Sequence, residues 1–184
     1  MAELARQYGP LKRRHYILEI GERLCTHLRE AHHDHRGEVA LFILRPDGKV
    51  LLHTKSFYPA GTYRVPTGGI RREEDVVTAV HREAREETGL QVAIERCLGI
   101  LEYEFRCRGE TLPHISYVFL LREKGGQLRP QDEGEGIVSF QEVPLPELET
   151  VARNLRALEA GWRDWGQYRA IAHSFVAEVL GVGS

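Results

Sequence analysis

Residues 68–90 read GGIRREEDVVTAVHREAREETGL, and this stretch decides how the chain is read. Val76, Val77, Val80 and Ala84 recur at helical spacing, and Gly89 follows as a natural C-terminal cap, so a helix is expected over 73–88. On it Glu83, Glu86 and Glu87 stand at i, i+3 and i+4. At roughly 100° per residue that places three carboxylates on one arc, beside the apolar stripe. Clustered carboxylates repel one another, and partial burial raises their pKa values. A hard divalent cation with a preference for oxygen ligands, Mg²⁺ or Mn²⁺, removes the conflict. The motif REAREE alone reads first as an ordinary solvated helix face; its frame decides.

Before it, EVALFIL (38–44) is a short, nearly continuous apolar run and reads as a strand. Pro46-Asp47-Gly48 has turn chemistry, and 49–54 reads as the returning strand of a hairpin. Residues 57–62 read as loop, and 63–65 as a short strand ending at Pro66. After the helix, 91–105 reads as one long strand or two short ones, ISYVFLLR (115–122) as another, 131–136 as an acidic loop and IVSFQEV (137–143) as the last strand. Helices are expected over 11–30, 145–158 and 164–180. The first rests on Ile17, Ile20, Leu24 and Leu28, and the last carries Trp165, Tyr168, Ile171 and Phe175 at helical spacing. Strands that meet mostly through turns favour an α+β arrangement, a three-layer α/β/α sandwich with a mixed sheet, over a doubly wound fold.

The chain of 184 residues is 42% hydrophobic and 28% charged with a formal net charge of −2. That suits a soluble globular protein and offers no electrostatic footprint for nucleic acid, Lys12, Arg13 and Arg14 notwithstanding. Cys25, Cys97 and Cys107 form no CxxC pair, so buried free thiols are expected instead of a zinc site. The polar start and the lack of an apolar run long enough to span a bilayer point to the cytoplasm and to no membrane partner. His32, His33 and His35 sit in a polar connection, where solvation is the ordinary reading.

The frame around the three carboxylates resembles the signature of the Nudix hydrolase family. Gly68, Glu74, Arg82-Glu83-Ala84, Glu86-Glu87 and Gly89-Leu90 occupy its specified positions at its spacing. Ala84 is the smallest member of the apolar class expected there. The hairpin over 38–55, leading into Pro66-Thr67-Gly68-Gly69, is also similar to the usual approach to that motif. The resemblance implies a Nudix-type sandwich over 37–148. It leaves 1–36 as an N-terminal helical extension and 149–184 as C-terminal helices, packed on the domain or at an interface.

The resemblance further implies that Glu83, Glu86 and Glu87 bind Mg²⁺ or Mn²⁺, with the backbone carbonyl of Thr67 as a further ligand. Many members carry glycine at that position. Threonine tolerates positive φ poorly, which shifts any such need to Gly69. Glu74 would pair with Arg82 and, with Gly68 and Gly89, shape the motif. The catalytic base would be Glu135 on the loop over 131–136, or else Glu83 or Glu86. Tyr63 and Arg64, just ahead of Pro66, would line the substrate site. The implied activity is metal-dependent cleavage of a diphosphate linkage in a small molecule, a nucleoside diphosphate derivative or a nucleoside triphosphate. Alternatives are a non-catalytic nucleotide-binding or regulatory module, or a diphosphate isomerase on the same scaffold. The wide apolar face of the last helix, and a similarity to dimeric enzymes, suggest a homodimer.

Overall fold

The apolar run over 38–44 forms the middle of the sheet. It lies in strand β2 (His35–Leu44), and every residue from Val39 to Ile43 is buried to within 1% of full burial. A strand covered on both faces needs this continuous apolar pattern. Its side chains alternate between two cores. Val39, Leu41 and Ile43 pack with Ala79, Val80 and Ala84, whereas Ala40, Phe42 and Leu44 pack with Leu24, Leu28, Val151 and Phe175.

The protein, as a computed structural model, is described over residues 2–159 and 161–182. Ahead of β2 lie helix α1 (Ala2–Tyr8), strand β1 (Lys12–Glu19) and helix α2 (Glu22–Asp34). After it come β3 (Val50–Lys55), β4 (Thr67–Arg71), α3 (Val76–Thr88), β5 (Leu90–Cys107), β6 (Glu110–Gly126), β7 (Ile137–Val143), α4 (Leu148–Arg156) and α5 (Arg163–Leu180). The strands form one mixed sheet in the order β1-β5-β6-β2-β3-β7, with β4 paired to β2. β1 runs parallel to β5 and β2 parallel to β6; the remaining pairs are antiparallel. With α1 and α3 on one face and α2, α4 and α5 on the other, the α/β/α sandwich expected from the sequence is present.

Three expectations are corrected. Residues 11–30 are not one helix: 12–19 form an edge strand on β5, and only the later part is helical, in α2. Tyr16 and Leu18 pack inward while Ile17 is 50% exposed, a period of two that the run of apolar residues at steps of three and four obscured. Residues 63–65 are not a strand: Arg64 makes an isolated bridge to His53, and the strand comes after Pro66, as β4. Cys25 and Cys107 are not free thiols: they form a disulfide between α2 and β5, and Cys97 alone stays free and buried.

The first 36 residues therefore supply a strand to the common sheet. The C-terminal helices also belong to its core. Tyr168 and Phe175 are 2% exposed, and Ala172 and Val176 are buried beside them. The apolar face that suggested a homodimer thus packs on the chain's own sheet, and a dimer would need another surface. No helix among the described residues is long and apolar enough to cross a membrane.

Candidate active site

The local sequence sets α3 firmly. Asp75 caps its start by accepting from the Thr78 N–H at 3.0 Å, and Gly89 ends it in the left-handed conformation, φ 72°. Val80, Glu83 and Glu87 fall on one line of the helix, so the two glutamates lie low against the sheet and are buried. Glu86 sits one step round, half-exposed.

β4 approaches this line closely, because Gly68 has no side chain. A Cβ at Gly68 would stand 1.8 Å from Glu83 Cδ. Gly69 is constrained likewise, with the His35 ring 2.4 Å from where its Cβ would be. Neither glycine has positive φ, nor does Thr67; Arg108 is the one non-glycine residue with positive φ among those described. The expected conformational demand at Thr67 and Gly69 is therefore absent. What these positions require is room, since β4 is extended.

Arg82 organises the arc. Its guanidinium donates to both oxygens of Glu74 at 2.7 Å, to the Gly69 carbonyl at 2.8 Å, to Glu83 at 2.6 Å and to Glu86 at 2.9 Å. The Arg82 hydrogen bonds hold the Glu74 carboxyl below its ordinary range. Burial works the other way on Glu83 and, despite Arg82, pushes its carboxyl up to about 7. Burial also raises Glu87, against the pull of Lys55, whose Nζ lies 3.1 Å away. The same ammonium pairs with Glu135, which stands on a 3-10 turn over Glu133–Glu135. Glu87 Oε2 is buried without a hydrogen-bond partner, and so are both ring nitrogens of His53, 4.0 Å away at Nδ1.

Glu83, Glu86, Glu135, Thr67, Gly68 and Arg64 line one cleft of about 390 Å³, and Glu87 lies behind its wall. Arg64 is itself buried, donating to Tyr58 Oη at 2.8 Å, to the Val65 carbonyl at 2.8 Å and to Thr67 Oγ1 at 2.9 Å. Tyr63 does not border the cleft. It lies in a separate groove with Leu155 and Leu158, and its hydroxyl meets Ser139 at 3.3 Å. Neighbouring residues in extended backbone point to opposite sides, so Tyr63 and Arg64 could not both face the site.

Three carboxylates on one arc, and a buried carboxylate oxygen with no partner, fit a hard divalent cation. Arg82 and Lys55 supply the positive charge there in this structure. Among the described residues no three acidic, histidine or cysteine side chains converge tightly enough to hold an ion. Metal binding would exchange the Arg82–Glu86 and Lys55–Glu87 pairs for metal contacts.

The same cleft is bordered by a buried network that the sequence did not announce, around Glu38, Tyr168 and Arg169. Glu38 accepts from Ser116 and Tyr168 hydroxyls, each at 2.6 Å, and from Arg169 at 2.8 Å. Burial raises the Glu38 carboxyl, but Arg169 and its other partners outweigh that and hold it well below the usual range. Nothing local marks this pairing, because Arg169 stands 131 residues from Glu38.

The chain matches the family model described as NUDIX domain over residues 34–165. It is 35% identical over 108 residues to an ADP-ribose pyrophosphatase of Methanocaldococcus jannaschii, covering 58% of this chain and 62% of that protein. It is 32% identical over 71 residues to an RNA pyrophosphohydrolase of Pelagibacter ubique, covering 38% and 45% of the two chains. Less than two thirds of each of these relatives is spanned. A solved ADP-ribose pyrophosphatase of Streptococcus suis is 21% identical with a TM-score of 0.48, over 78% of this chain and 90% of that one.

Proposed function

Because this chain belongs to the Nudix family, we propose that it is a metal-dependent pyrophosphohydrolase that cleaves the diphosphate linkage of a nucleoside diphosphate derivative or nucleoside triphosphate. The observation that carries the reading is the cleft itself, where Glu83 and Glu86 meet Glu135 from a distant loop.

Glu83, Glu86 and Glu87, with the Thr67 carbonyl, would hold Mg²⁺ or Mn²⁺. When bound, the ion supplies neutralisation of diphosphate charge and acidification of a water. The remaining work belongs to the chain. Arg82, anchored on Glu74, fixes the Glu83 carboxylate on the arc. Arg64 places positive charge at the cleft wall, where it favours an anionic substrate. Glu135 is the proton acceptor for the attacking water, brought to the cleft by its 3-10 turn and held there by Lys55.

The test is release of phosphate, pyrophosphate or nucleoside monophosphate from a panel with Mg²⁺ or Mn²⁺. The panel contains ADP-ribose, nucleoside triphosphates, a dinucleoside polyphosphate and a 5′-triphosphorylated oligonucleotide. Turnover of a small diphosphate that stops with chelator supports the reading. Saturable binding with no turnover of any member would make the chain a binding module instead. Turnover of the oligonucleotide alone would overturn the small-molecule substrate.

A further inference from the structure

A second hollow, of about 360 Å³, opens beside the cleft and shares His27, Phe57 and Trp165 with it. Phe57, Trp162 and Trp165 give it an aromatic wall. Tyr58, which lines the cleft, joins them, its ring centroid 5.0 Å from Phe57, 4.8 Å from Trp165 and 5.8 Å from Trp162. Phe57 and Tyr58 come from the turn after β3, and the tryptophans from the start of α5 and the residue before it.

None of the four rings is buried, and Phe57 is 60% exposed. Core aromatics on the same helix behave otherwise: Tyr168 and Phe175 are sealed. An exposed aromatic face such as that of Phe57, with partly exposed rings beside it next to a cleft, gains from being covered by another flat ring. The Arg23 guanidinium already covers one face of Trp162, at 4.2 Å. Arg64 ties the cluster to the cleft: it lies 5.5 Å from the Tyr58 ring and 6.0 Å from that of Trp165, and also holds Thr67. A ligand with an anionic part and a flat heteroaromatic part matches this pair of neighbouring spaces.

We propose that the hollow is a stacking subsite for the nucleobase of the substrate, with Phe57 as the wall shared with the cleft. This rests on the reading that the adjoining cleft takes a nucleoside diphosphate derivative.

Both tryptophans of the chain line the hollow and Trp165 also borders the cleft, so intrinsic tryptophan emission reports on the two spaces, and the ribose 5-phosphate arm separates them. The experiment titrates the whole, metal-free protein with AMP, GMP and CMP, and in parallel with ribose 5-phosphate. Saturable quenching by a mononucleotide and none by ribose 5-phosphate is expected. Phe57→Ala should weaken mononucleotide binding about tenfold, the scale of one lost base–aromatic stack, and Phe57→Tyr should restore it. Absence of quenching by every mononucleotide, equal quenching by ribose 5-phosphate, or an unchanged affinity in Phe57→Ala would overturn the subsite. No turnover is needed. A chain that binds mononucleotides this way but hydrolyses nothing refutes the hydrolase reading and leaves the subsite standing. A chain that hydrolyses without the optical response refutes the subsite alone.

Discussion

Arg82 grips Glu74 through two parallel hydrogen bonds, Nε to Oε1 and Nη2 to Oε2, each 2.7 Å long. The remaining donors of that guanidinium reach Gly69, Glu83 and Glu86, so one residue ties β4, the turn before α3 and the carboxylate arc together. Glu74→Gln removes the fork and one of its charges. It should cost on the order of 1–3 kcal/mol of stability and lower turnover less than Glu87→Gln does. Arg82→Lys should not rescue the site, because an ammonium cannot form the fork. Chemical denaturation and kcat for the three variants check this; a wild-type midpoint in Glu74→Gln would refute the brace.

Gly68→Ala tests close approach without touching any charge. The new methyl would collide with the Glu83 carboxyl, while the extended backbone at Gly68 accepts alanine. The fold should persist, with activity reduced by at least about tenfold, one order for a displaced catalytic carboxylate. A fully active Gly68→Ala enzyme would show that Glu83 need not sit where it does.

Glu87→Gln removes a buried carboxylate paired with Lys55 at 3.1 Å. Calorimetric titration with Mn²⁺ should show greatly weakened binding, alongside lost turnover and a retained circular dichroism spectrum. Unchanged Mn²⁺ affinity would remove Glu87 from the ligand set.

Glu135→Gln addresses the base. Loss of a general base costs roughly 10²–10⁴ in rate and changes substrate binding much less. The rate should be measured across pH at saturating metal and substrate. A loss below about threefold, with the same acidic limb in the pH profile, would leave Glu135 as a loop residue and move the role to Glu83 or Glu86.

One buried histidine should lower stability in mild acid. His173 is buried; it accepts from the Val65 N–H at Nε2 and donates to the Arg169 carbonyl from Nδ1. Burial pushes its imidazole down to about 4. Its contribution is complete above the unfolded value of about 6.5. Below that the unfolded chain takes up a proton the folded chain refuses, and stability drops until pH reaches about 4. The loss from this group reaches roughly 3 kcal/mol. Glu38, depressed by Arg169, adds to it at lower pH. The raised Glu83 carboxyl works in the opposite sense over the same range, so urea denaturation of the wild type is compared with that of His173→Gln at pH 7.5, 5.5 and 4.5; equal slopes in the two proteins would rule out His173 as a source.

What the sequence determined by itself was local. The step of three and four along 83–87, the cap residues Asp75 and Gly89, and the unbroken apolar run over 38–44 are properties of neighbouring residues. A helix or a central strand converts them directly into geometry. The pairing of Glu74 with Arg82 was implied by the family resemblance, and it too lies within one loop-helix unit. The tertiary structure decided whatever needs distant segments to meet. Residues 12–19 became a strand because β5 offered them an edge, and Cys25 found Cys107 because that arrangement set α2 beside β5. Lys55 reached Glu87 and Glu135 across three separate elements. Glu38 found Arg169 on the last helix. Arg64 turned into the cleft and Tyr63 away from it because the pleat allows only one of two neighbours to face a given side. Such contacts follow from how strands pair and how helices pack on the sheet, and no spacing along a single chain encodes them.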